Sequence, residues 1–94
     1  MSIVQLVRRT LEDRGLPEAG PGAYGYCVED GPLWSAIVRW GRGDPFRDAH
    51  RPSILACRDA LRRAGFHTTV VPFANPTGRY IQVTAPPPRR AAGE

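Results

Sequence analysis

The chain has 94 residues, of which 41% are apolar, enough for one domain with a single modest core and unlike a disordered segment. Its formal charge of +4 is carried by thirteen Arg and no Lys, and nearly half of the chain is Arg, Ala, Gly and Pro. No apolar run approaches the ~20 residues of a membrane span, and the N-terminal residues lack a secretory pattern, so a cytoplasmic location is expected.

All four enriched residue types have GC-rich codons. A GC-rich bacterial genome therefore accounts for the Arg content as well as selection for its planar, always-charged fork does. Cys27 and Cys57 are too few and too far apart for a disulfide framework or a paired zinc motif. They read as small buried apolar residues.

Ser2 can cap a first helix running to about Arg14. Ile3, Val7 and Leu11 form its apolar stripe, and Gly15 and Pro17 end it. Tyr24 to Glu29 reads as a strand, followed by the turn signal Asp30-Gly31-Pro32. Leu33 to Trp40 reads as a second strand. One face carries Trp34, Ala36, Val38 and Trp40, with both Trp expected against the helices. The other carries Leu33, Ser35, Ile37 and Arg39. A strand apolar on both sides is usually covered on both sides, so another segment or another chain is expected on the second face.

The long connection from Gly41 to Pro52 contains Asp44-Pro45, a capping pair that can start a short helical turn. A second helix is expected from Pro52 to about Ala64, with Ile54, Cys57 and Leu61 inward and Gly65 as its stop. His67 to Phe73 is rich in Thr and Val and reads as a third strand. Asn75-Pro76-Thr77-Gly78 is a turn. Tyr80 to Thr84 is a fourth strand, with Ile81 and Val83 on one face. Residues 85–94 are expected to be a disordered Pro/Arg tail, able at most to offer a polyproline II ligand.

A pattern recurs at a spacing of fifty residues. Arg8, Leu11 and Gly15 are matched by Arg58, Leu61 and Gly65, each set ending a helix that precedes a hairpin. The expectation is a single α+β domain over residues 1–84, with halves at about 2–40 and 52–84. Its order is α-β-β-α-β-β: a two-layer sandwich of a four-stranded, mainly antiparallel sheet with two helices on one face. The order excludes ferredoxin-like and RNA-recognition folds, which start β-α-β, and a double-stranded RNA-binding domain, which ends in a helix.

No constellation supplies a nucleophile, a base and an orienting group. His50 and His67 read as solvated loop and strand residues. The spacing of Cys27, His50, Cys57 and His67 matches no closed zinc module. Gly41-Arg42-Gly43-Asp44 follows a strand but lacks the spacing and Lys of a phosphate loop. No catalytic residue, metal or cofactor is therefore expected.

Two binding readings remain. The first is a small non-catalytic interaction module that takes a protein partner, or a second copy of itself as a homodimer, through the sheet face, with Leu33, Ile37 and Tyr80 as interface residues. The alternative is a nucleic-acid-binding module using Arg51, Arg58, Arg62 and Arg63 on and before the second helix. Asp44, Asp48 and Asp59 interrupt that basic set. A small enzyme is the weakest reading.

Overall fold

The structure is a computed structural model and describes residues 2–43, 46–48, 53–72 and 79–85. Helix α1 (Ile3–Asp13) starts with a reciprocal capping box. The Ser2 hydroxyl accepts from the Gln5 amide at 3.2 Å, and the Gln5 side chain accepts from the Ser2 amide at 3.0 Å. Strands β1 (Tyr24–Asp30) and β2 (Ala36–Arg42) form an antiparallel hairpin. The two-residue strand β3 (Arg47–Asp48), helix α2 (Ser53–Arg63) and strands β4 (His67–Pro72) and β5 (Arg79–Ala85) follow.

The sheet order is β1-β2-β5-β4, all antiparallel, with β3 bridging the end of β2. The fold is the α+β sandwich the sequence predicts, with one strand more than expected. That strand is too short to carry a hydrophobic alternation of its own. β5 runs through Ala85, one residue into the expected tail. The expected helical turn at Asp44-Pro45 lies outside the described residues.

One face of the sheet holds Tyr26, Val28, Ala36, Val38, Trp40, Ile81 and Val83, all buried. Both helices cover it with Val7 and Leu11 from α1 and Ile54, Cys57, Ala60 and Leu61 from α2. Trp40 sits at 5% exposure with its indole Nε1 hydrogen-bonded to none of the described residues.

The start of the second strand differs from the sequence expectation. Leu33 and Trp34 lie in the β1–β2 turn, not in the strand, and each is 90% exposed. Their φ angles are +45° and +50°, left-handed values that no strand residue adopts. Trp34 is therefore not part of the core, and Leu33 does not share a strand face with Ile37. The turn runs past Pro32 because the Gly31 amide donates to the Ser35 carbonyl at 2.9 Å, enclosing three more residues than the tight turn that Asp30-Gly31-Pro32 suggests. Ser35, expected outward, is buried and donates its hydroxyl to the Pro32 carbonyl.

The second face of the sheet is partly covered by the protein's own loops. Gly25 and Gly41 are opposite one another in the ladder. A side chain on Gly25 would overlap the backbone of Glu18 and Ala19, and one on Gly41 would overlap the Arg47 carbonyl. Both positions need glycine because other segments of chain pass directly over them. Part of the expected second layer is thus supplied from within the chain.

Candidate interaction surface

Three groups of residues deserve comparison: the β1–β2 turn, the open sheet face and the outer side of α2. The turn presents two large apolar side chains on strained backbone. A left-handed conformation costs a non-glycine residue of order 1 kcal/mol. Leaving a Trp and a Leu in water also forgoes roughly 2–5 kcal/mol of burial for each. Beside Trp34 is a groove of about 480 Å³. Ile3, Leu6 and Trp34 line its apolar wall, and Ser2, Asp30 and Ser35 contribute polar atoms.

The open sheet face centres on Arg39. Its guanidinium bonds both oxygens of Asp48 and pairs with Glu29 at 3.0 Å. It also lies over the Phe46 ring, 4.9 Å from the centroid. The hydrogen bonds that Arg39 donates to Asp48 hold the Arg39 pKa above its ordinary value, outweighing partial burial. This network ties Phe46–Asp48 down onto the sheet. Around it Cys27, Ile37, Tyr80 and Gln82 are half-buried. Ile37 and Tyr80, two of the three residues expected at an interface, therefore share this face, while Leu33 projects from the turn at its end.

The basic candidates are less concentrated than their sequence spacing suggests. Arg58 pairs with the neighbouring Asp59 at 3.1 Å, and Arg62 donates to the Thr68 hydroxyl at 3.0 Å. Arg63 lines a shallow hollow with Arg14 and Asp59. Arg51 and His50 lie outside the described residues, and His67 is exposed at the start of β4.

The two thiols lie on opposite sides of the sheet. Cys57 is fully enclosed between helix and sheet, and burial pushes its pKa up to about 12. Cys27 is half-buried on the open face, its pKa raised first by burial and then by Glu29. Among the described residues no three His, Cys, Asp or Glu side chains group as metal ligands. Among the described residues no helix is long and apolar enough to cross a membrane. Compared with protein-family models, with curated proteins and with solved structures, the chain finds no match.

Sequence reasoning missed the turn as a feature in its own right. The available signal was local: Pro32 and Ser35 are spaced so that the Ser hydroxyl can close on the Pro carbonyl, a hydroxyl-closed turn. The apolar run from Leu33 onward outweighed it.

Proposed function

We propose that this protein is a non-catalytic interaction module that docks a protein partner through its β1–β2 turn. The observation that carries this reading is the pair Leu33 and Trp34, each 90% exposed on left-handed backbone. A fold selected for stability alone would place Gly or Asn there and keep the indole in the core. Trp in such a position, beside a groove with polar groups at its margin, matches the composition of binding hot spots. Ile37 and Tyr80 extend the surface along the open sheet face.

The charge-based alternative has less support. Arg58 and Arg62 are engaged within the fold, and a phosphate would compete with those contacts.

The test is a Leu33→Ser, Trp34→Ser double variant. It should melt no lower than the unmodified protein, because neither side chain is in the core. Partners captured by the unmodified protein and identified by mass spectrometry should be lost with the variant. In their complex, Trp34 fluorescence should shift to the blue. Equal capture by both proteins would refute the reading.

A further inference from the structure

Strands β1 and β4 are the two edges of the sheet, and they are treated differently. After α1 the chain runs along the outer edge of β1. The Tyr26 amide donates to the Pro17 carbonyl at 3.0 Å, and the Ala19 amide donates to the Tyr26 carbonyl at 2.9 Å. After α2, only residues 64–66 precede β4, too few for a segment between them to run along its outer edge as residues 17–19 run along β1. Among the described residues, no strand or bridge lies on the outer side of β4.

The groups that β4 turns outward follow from Tyr26 and the ladder registers. In an antiparallel ladder each residue points both of its backbone groups to one side, and the sides alternate along the strand. Tyr26 points away from β2, so its partner Trp40 points away from β1, and Val38 and Ala36 do the same. Val38 therefore exchanges hydrogen bonds with Ile81 in β5. Tyr80 and Gln82, one position out of phase, point to β4 and engage Val71 and Thr69. Thr68, Val70 and Pro72 are left pointing outward. Proline agrees with this placement, because it has no N–H to give a ladder.

We propose that a second copy of this chain pairs antiparallel with β4, making one continuous sheet across a two-fold axis. The outward groups of Thr68 and Val70 are self-complementary. With the axis at Thr69, Thr68 faces Val70 of the second copy and Val70 faces its Thr68. Each pair exchanges two hydrogen bonds, so the amides and carbonyls of Thr68 and Val70 are all satisfied, and of the outward groups only the Pro72 carbonyl is left out of the pairing. The axis is perpendicular to the sheet, so all four helices lie on one side.

The edge is guarded only at its ends, by the bulge at His67/Thr68 and by Pro72. Between them Thr68 to Val71 carries no charge and no proline and has high strand propensity, which leaves that stretch open to pairing. Arg62 is held beside it by its bond to Thr68. The two-fold brings like charge toward like charge, so the dimer tightens as salt rises. This surface is separate from the β1–β2 turn, and its pairing holds or fails without reference to the partner proposed there.

The experiment uses Thr69→Cys in a Cys27→Ser background. Two residues 69 across the axis form a non-hydrogen-bonded pair with Cα atoms ~4.5 Å apart, within disulfide reach. Mild oxidation should give a covalent dimer, whereas Leu33→Cys in the same background should give none. Independently, light scattering of the unmodified chain should show a dimer at high micromolar concentration. Its Thr68 and Val70 amides should resist hydrogen exchange there and lose protection on dilution. A monomer at that concentration would overturn the proposal, whether those amides exchange freely or are shielded by the chain's own residues. So would cross-linking through position 33 and not through position 69.

Discussion

Gly15 and Gly65 end their helices with the same set of hydrogen bonds, fifty residues apart. The Gly15 amide donates to the Glu12 carbonyl at 2.9 Å and the Gly65 amide to the Arg62 carbonyl at 3.0 Å. The next residues, Leu16 and Phe66, donate to Leu11 and Leu61 at 3.1 and 3.0 Å. Both glycines are left-handed, at φ +78° and +97°, so each helix ends in a Schellman motif. The helices themselves are in step, Ile3–Asp13 against Ser53–Arg63, and in each the leucine at the ninth position is fully buried. In each half the second strand of the hairpin lies at the centre of the sheet, where β2 meets β5.

The equivalence of these helix ends sets a paired expectation. Leu11→Ala and Leu61→Ala should each cost roughly 2–5 kcal/mol, since both side chains are fully enclosed. Gly15→Ala should cost only about 1 kcal/mol, because the space around it is open and the backbone angle alone opposes a side chain. Denaturant melts of the three variants check the ranking.

Leu33 and Trp34 should show the reverse. Replacing either with Gly relieves left-handed strain and uncovers no core, so each variant should gain about 0.5–1 kcal/mol. Such a gain accompanied by loss of partner binding would be the expected trade of stability against function. A loss of more than ~1 kcal/mol on Trp34→Gly would return the indole to the core.

Arg39 joins Glu29 and Asp48, which would otherwise face each other without a cation. Arg39→Met should cost about 1–2 kcal/mol, discounted because the side chain is 25% exposed. The readout specific to this network is limited proteolysis within Phe46–Asp48. Cleavage there should accelerate well beyond the change in global stability, because the Phe46 ring and the Asp48 carboxylate lose their shared anchor.

Cys57 gives the protein an alkaline liability. Its folded pKa of about 12 lies above the ordinary 9.0, so above pH 9 the unfolded chain releases the thiol proton while the folded chain keeps it. The unfolded state then binds fewer protons, and stability falls with rising pH. The loss should run from about pH 9 to about 12, at up to ~1.4 kcal/mol per pH unit. Raised by burial, Tyr26 adds to the slope in the same direction. Urea melts across that range should show a shallower slope for Cys57→Ala, even though the variant begins from a lower stability.

Trp40 carries an indole N–H buried with no acceptor among the described residues. Trp40→Phe keeps most of the apolar contact and removes the unpaired donor. It should therefore cost less than ~1.5 kcal/mol, against roughly 3–5 kcal/mol for Trp40→Ala. Calorimetric melts of the two variants separate packing from the unpaired group.

The sequence by itself determined the elements whose signal is local and periodic. Ser2 defines the start of α1, Gly15 and Gly65 define both helix ends, and the alternation of Ile81 and Val83 defines the inward face of β5. Side-chain period and backbone conformational preference act within a few residues, and so they can be read along the chain. Only the tertiary structure decided where β2 begins, because Leu33 and Trp34 continue the apolar alternation of the strand. What removed them from it was the bond from Gly31 to Ser35 and the hydroxyl of Ser35 on Pro32, contacts that exist only once the turn is formed. Likewise, the open sheet face could not be assigned a cover from its composition. Phe46 and Asp48 reach it across the long connection through Arg39, and the place of β4 at the sheet edge is defined by which strand lies beside it. Both depend on contacts between residues distant in sequence, and no local pattern encodes those.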